Sequence, residues 1–133
     1  MKRFFDVSSI FEIAKQADAS PLIDGYTLYL TVYELGNILW KHTTLTNSLS
    51  VDEAEEMRLI VNKMLQVMNL QPADNIDQET IAIASKHGIS YYDASYIQAS
   101  KSLNVELITE DKRLAKAATS YRVSTNPAST LYD

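Results

Sequence analysis

Short runs of apolar and β-branched residues alternate along this chain with longer stretches of helical periodicity, and that alternation leaves few folds open. Residues 2–6, Tyr26–Leu30, 69–72, Val105–Thr109 and Tyr121–Ser124 read as strands. Between them, residues 7–17, 32–42, 51–68, 77–87, 91–103 and 111–119 read as helices. The first helix turns Ile10, Ile13, Ala14 and Ala17 to one face, and the longest carries Val51, Ala54, Met57, Val61, Met64, Leu65 and Met68 as an amphipathic stripe. Punctuation agrees: Ser20-Pro21 breaks the chain, Ser50-Val-Asp-Glu53 spells a capping box, and Gly88 supplies a helix stop. Strands alternating with helices specify an α/β class with a central, largely parallel sheet. With 133 residues, only 3 Gly and 3 Pro, and no internal repeat, the expectation is one domain over 1–133. No apolar run reaches about 18 residues, and an acid at position 6 interrupts the apolar start, so neither a membrane span nor a signal peptide is read and a cytoplasmic location is expected.

Four acids stand where apolar runs give way to helical pattern. Asp6 ends Arg3-Phe4-Phe5, Glu34 sits in Leu-Thr-Val-Tyr-Glu-Leu, Asp93 in Tyr-Tyr-Asp-Ala-Ser-Tyr, and Asp111 follows Val105-Glu-Leu-Ile-Thr-Glu. Each has a structural use. Asp6 and Asp111 are placed to cap helices, and Thr31-x-x-Glu34 and Ser90-x-x-Asp93 match or approximate capping boxes. A capping acid normally keeps polar company at the solvent edge, however, whereas Asp6, Glu34 and Asp93 have apolar or aromatic neighbours. Carboxylates drawn into apolar surroundings are costly unless they are paired or bind a metal. In a parallel sheet, functional groups gather beyond the carboxyl ends of the strands, which is where Asp6 and Asp111 fall.

Composition narrows the chemistry. The chain has no Cys, which excludes disulfides, thiolate metal sites and a Cys nucleophile, and 2 His, too few for a histidine-based site. Any metal is therefore a hard cation held by oxygen. The net charge of −5 argues against a nucleic-acid partner taken alone. Two divalent ions would cancel four carboxylates and reverse the local potential.

The four acids in their settings resemble the motifs of the PIN domain family across nearly the whole chain. Phe5-Asp6-Val7-Ser8 matches its opening strand and Asp-x-Ser, Glu34-Leu-Gly-Asn-Ile-Leu its second acid, Tyr91-Tyr-Asp93-Ala-Ser-Tyr96 its third, and Leu107-Ile-Thr-Glu-Asp111-Lys-Arg-Leu114 its fourth. One departure stands out. Many members carry a further acid shortly after the fourth, but 112–119 contains none and Glu110 precedes Asp111 instead.

The resemblance implies a three-layer α/β/α fold and a metal-dependent endoribonuclease similar to VapC toxins. It further implies Mg²⁺ or Mn²⁺ as one or two ions, a VapB-like antitoxin and a homodimer. Four carboxylates in one pocket repel one another; divalent ions relieve that repulsion and let water attack a phosphodiester without a side-chain nucleophile. Asp6, Asp93 and Asp111 are then expected metal ligands, and Glu34 a ligand or a base on the attacking water. Ser8 and Thr109 are read either as second-layer partners of the ligands or as plain caps. Lys112 and Arg113 are candidates for RNA phosphates, whereas Lys116 reads as a solvated helix residue and His42 and His87 as helix-end residues. Asn37, one turn beyond Glu34, is read as sharing its face or as solvated. Tyr91, Tyr92 and Tyr96 crowd the third acid, to fill the core or to stack on bases. A PIN nuclease without an antitoxin and a PIN-fold module that does not cut are the alternatives. A phosphoryl-aspartate phosphatase needs an acid where Ser8 stands, and the helix-rich span 32–68 does not suit a response-regulator receiver.

Overall fold

A computed structural model describes residues 2–16 and 18–132. Five strands, β1 (Arg3–Phe5), β2 (Tyr26–Leu28), β3 (Asn69–Gln71), β4 (Glu106–Ile108) and β5 (Thr125–Asn126), form one parallel sheet in the order β3-β2-β1-β4-β5. Six helices are interleaved: α1 (Val7–Ala14), α2 (Tyr29–Thr44), α3 (Val51–Gln66), α4 (Gln78–His87), α5 (Tyr91–Leu103) and α6 (Lys112–Thr119). Short 3₁₀ turns cover Ser20–Leu22 and Ala128–Leu131. Successive strand side chains point to opposite faces, and the two cores follow from that. Phe5 and Ile108 pack with Ile10 and Ile13 of α1, Leu35 of α2 and Val61 and Met64 of α3. Phe4 and Leu107 pack with Ile83 of α4, Tyr96 and Ile97 of α5 and Leu114 and Ala118 of α6. The result is a sheet between two helical layers.

The chain first builds β1, β2 and β3 outward in one direction, then returns to lay β4 against the other side of β1. The strand order therefore reverses between β1 and β4, and a crevice at such a reversal is where α/β sheets place ligands. Asp6 leaves β1 and Asp111 lies just beyond β4, on the two sides of that point.

Several boundaries differ from the sequence expectation. The last strand is Thr125–Asn126, not Tyr121–Ser124. After α6 the backbone turns back on itself, with Tyr121 and Val123 N–H both donating to Ala118 O and Arg122 at φ 60°. Val123 is apolar because it drops into the core there. α2 begins at Tyr29, so β2 is shorter than Tyr26–Leu30 and Thr31 lies within the helix, not at a capping-box start. α1 ends at Ala14 and α3 at Gln66, earlier than expected; Ala17 lies outside the described residues. The Ser50–Glu53 box and the left-handed Gly88 cap are present. Among the described residues, no helix is long and apolar enough to cross a membrane.

Gly25, just before β2, fixes how closely that strand approaches β1. A Cβ at this position would lie 2.6 Å from Cε2 of the fully buried Phe5 ring and 3.1 Å from Leu22 O. Gly25→Ala is expected to destabilise the protein by about 1–3 kcal/mol, the usual cost of overpacking a core. Urea unfolding measures it, and a midpoint equal to the parent's would show that Phe5 yields freely.

Candidate active site

Asp6 is the N-cap of α1, its Oδ1 accepting from Ser9 N at 2.9 Å. It is only 3% exposed, unusual for a cap. Ser8 Oγ donates to the same carboxylate at 2.8 Å, and Thr109 Oγ1 donates to Oδ2 at 2.5 Å. Both hydroxyls also receive backbone donors from the loop after β4: Glu110 N–H reaches Ser8 at 3.0 Å and Asp111 N–H reaches Thr109 at 3.0 Å. Ser8 and Thr109 thus stitch the end of β1 to the end of β4 around one carboxylate. Burial pushes the Asp6 carboxyl up, against the lowering effect of these hydrogen bonds.

Glu34 lies in the second turn of α2, half-buried, at the end of a line of hydroxyls. Tyr96 of α5 donates to its Oε1 at 2.6 Å. Tyr96 meets Thr31 Oγ1 at 2.6 Å, Thr31 meets Thr27 Oγ1 at 2.7 Å, and Thr27 donates to Phe5 O at 2.8 Å. Thr27, Thr31 and Tyr96 are at most 1% exposed, so water completes none of these links. A carbonyl and an ionised carboxylate both only accept, so with Glu34 ionised three hydroxyls supply three protons to four links. A proton on Glu34 supplies the fourth. Burial pushes the Glu34 carboxyl up, opposed by the Tyr96 hydrogen bond and reinforced by the negative charges of Asp93 and Asp6. Tyr96 itself is pushed far up, by burial first and by Glu34 second, and stays protonated.

Asp93 enters through the first turn of α5, where its N–H donates to the Ser90 cap at 3.0 Å. Only this half of the expected capping box is made, which leaves the Asp93 carboxylate free of the backbone it was expected to cap. Burial raises its pKa, and the charge of Asp111 raises it further, while the Ser90 side chain and then Arg113 act in the opposite direction. Asp111 is the N-cap of α6, with Oδ1 accepting from Arg113 N at 2.9 Å and Leu114 N at 3.2 Å. Repulsion therefore runs from Asp6 to Glu34, from Glu34 to Asp93 and from Asp93 to Asp111. Glu110 does not join them; its Oε2 accepts from Ala128 N at 2.8 Å.

The donors are all carboxylate oxygens, the chemistry of a hard cation. Among the described residues, no group of three or more His, Asp or Glu side chains is arranged to hold a metal ion. A Mg²⁺ ion would need only one or two of these carboxylates directly, because it keeps several waters. Beside Glu34 opens a groove of about 340 Å³ lined by Val7, Leu30, Tyr33, Asn37, Ile38 and Tyr92. Asn37 thus shares the Glu34 face, and Tyr92 is exposed in the groove, not core. Arg113 Nη2 donates to Gly88 O, and Lys112 is exposed. His42 pairs with Ser48 at 2.6 Å and His87 with Tyr121 at 3.1 Å, both at helix ends as expected.

Sequence reading overlooked the polar line behind Glu34. Its signal was three hydroxyl residues, Thr27, Thr31 and Tyr96, embedded in otherwise apolar surroundings. Tyr96, three residues after Asp93, lies on the same helical face and carries α5 to Glu34.

The chain is similar to known proteins over most of its length. The chain is 31% identical over 124 residues to "Ribonuclease VapC3" of Pyrobaculum aerophilum, covering 87% of this chain and 94% of that protein. It is 36% identical over 89 residues to "Exonuclease VapC9" of the same organism, covering 65% of this chain and 62% of that one. The crystal structure of PAE2754 from Pyrobaculum aerophilum superposes with a TM-score of 0.78 at 26% identity, covering 98% of this chain and 92% of the other. A PilT N-terminus domain protein, SSO1118 from Sulfolobus solfataricus, shares the fold at a TM-score of 0.52 and 15% identity. The family model described as "PIN domain" matches residues 3–119, a span containing all four acids. The chain belongs to the PIN domain family, and its relatives place it with the VapC-like members.

Proposed function

We propose that the protein is a Mg²⁺- or Mn²⁺-dependent endoribonuclease, the toxin of a VapBC-type pair. What supports this reading is the placement of Asp6 and Asp111 on the two sides of the sheet's reversal point, with the negative charges of Asp93 and Asp6 acting on Glu34 and that of Asp111 acting on Asp93. Such a cluster is unfavourable as it stands and becomes favourable once a divalent cation shares it. When bound, that cation supplies Lewis acidity and neutralises charge on a phosphodiester. Asp6, Asp93 and Asp111 hold it directly or through water. Glu34, lifted by burial, either joins them or takes the proton of the attacking water. Ser8 and Thr109 fix the rotamer of Asp6, and Lys112 and Arg113 face the phosphates flanking the cut. A VapB-like antitoxin, a homodimer, a single unit over 1–133 and a cytoplasmic location complete the reading.

Purified protein should cleave single-stranded RNA with Mg²⁺ or Mn²⁺ and stop with EDTA. Loading to a hundredfold over Kd should add about 2.7 kcal/mol of stability by linkage, read as a rise in Tm that EDTA reverses. RNA left intact with either ion would sink the assignment. One relative is named an exonuclease, so product lengths decide a second reading. Internal fragments from a circular or end-blocked RNA mark an endonuclease; cleavage only from a free end marks an exonuclease.

A further inference from the structure

The largest cavity described lies beside the acids, not among them. About 450 Å³ opens between the end of α4 and the length of α6, lined by Lys86, His87, Arg113, Lys116, Thr119 and Ser120, with no acid in its wall. The chain has an excess of acids and 12 Lys and Arg in all, so three of them in one cavity is a concentration the net charge does not favour. None of the ion pairs among the described residues uses Lys86, Arg113 or Lys116. Arg113 is pinned there by the Gly88 carbonyl, which also covers one of the α4 helix-end oxygens that would otherwise repel an anion. The groove on the other flank, beside Glu34, is lined by no cation. Lys116 lies five residues along α6 from Asp111, about 7.5 Å at the rise of an α-helix, so a strand reaching the acids passes the cavity mouth.

We propose that the cavity between α4 and α6 is a backbone-phosphate subsite for single-stranded RNA, with Lys86 and Lys116 as its free cations and Arg113 joining it to the acids. That the phosphate belongs to RNA rests on the nuclease reading; the cavity chemistry itself specifies a phosphate group. Contacts of this kind position the strand without reading its sequence.

The test is RNA binding by the full chain in EDTA, followed by anisotropy against salt. Relative to a charge-matched control, Lys41→Gln with Lys63→Gln, the double variant Lys86→Gln with Lys116→Gln should bind about 10-fold more weakly at low salt. Its log Kd against log salt slope should be shallower by between about 0.7 and 1. The loss should be equal for oligo(U) and oligo(A). A Kd and slope matching the control overturn the proposal. So does a defect confined to inorganic phosphate, which would mark a site for the free ion. Because binding is read without turnover, the two readings fail separately. A parent that cuts no RNA while the cavity variants lose affinity sinks the nuclease and leaves the subsite standing. A parent that cuts while those variants bind like the control does the reverse.

Discussion

Asp6→Asn should cost more than about 100-fold in RNA cleavage, beyond the 10–100-fold range typical when only a ligand's supporting partner is removed, and should raise the Tm of the metal-free protein at pH 7. The two effects have one origin. The carboxylate is 3% exposed and its neighbours Ser8, Ser9 and Thr109 are neutral. Among the described residues no cation offsets the cost of burying it, and burial raises its pKa. The sign follows directly. A carboxyl whose folded pKa is raised binds its proton more tightly folded than unfolded, so the parent loses stability as pH climbs from the unfolded value, 3.8, through the folded one. Above that window the full penalty is present, and Asn escapes it. Below pH 3.8 the parent carboxyl is protonated in both states, and the advantage of Asn should shrink away. Asn keeps the Ser9 N–H bond through its carbonyl oxygen, and the hydroxyls of Ser8 and Thr109 can turn to accept from its amide. Mn²⁺ should then raise the Tm of the parent and not of the variant. Melting curves across pH, with and without Mn²⁺, decide the matter. An unchanged cleavage rate would remove Asp6 from the ligand set; a lower Tm at pH 7 would mean that the hydrogen bonds outweigh burial.

Local signals placed two of the caps on which the candidate site is built. Asp6 and Asp111 were legible because a strand ending in an acid, followed by a helical pattern, fixes both the cap and the strand exit, and the structure keeps both. Six helices and four strands lie where periodicity put them, within a few residues at the ends. What local pattern missed is what depends on a distant partner. Thr31 three residues before Glu34 has the form of a capping box, but β2 runs directly into a helix that starts at Tyr29, and the hydroxyl meets Tyr96 instead. Tyr121 and Val123 have strand-forming side chains, yet they close the turn after α6, where Val123 enters the core, and pairing with β4 begins at Leu107↔Thr125 and continues at Ile108↔Asn126. The gathering of Lys86 with Lys116 needs α4 laid beside α6, a placement that neither helix encodes alone. Lys116 reads as solvated on its own helix and acquires a role only from its neighbour.

Tyr96→Phe and Thr31→Val should move the titration of Glu34 in opposite directions, although both remove one hydroxyl from the same buried line. Thr31→Val deletes the middle member. The two links left, Thr27 to Phe5 O and Tyr96 to Glu34, are each supplied by their own hydroxyl with Glu34 ionised. The shortage of one proton disappears, so the Glu34 pKa should fall relative to the parent. Val is close to Thr in shape, so the fully buried site is refilled. Tyr96→Phe deletes the donor that lowers Glu34 and leaves burial and the charges of Asp93 and Asp6 to raise it, so the pKa should climb. Thr31 still donates to Thr27 and Thr27 to Phe5 O, and half-buried Glu34 can turn to water, so the stability cost should stay near the roughly 1 kcal/mol of a single hydrogen bond. The activity cost should be larger, about 10–100-fold, and confined to kcat, because a side chain 1% exposed cannot touch RNA and KM has no reason to move. The acidic limb of the rate profile should shift to higher pH in Tyr96→Phe and to lower pH in Thr31→Val. Carboxyl NMR titration of the metal-free proteins reads the same displacement without turnover. Shifts of the same sign in both variants would show that the hydroxyl line does not control the proton on Glu34. A kcat for Tyr96→Phe within twofold of the parent would show that holding Glu34 in place is not what limits the reaction.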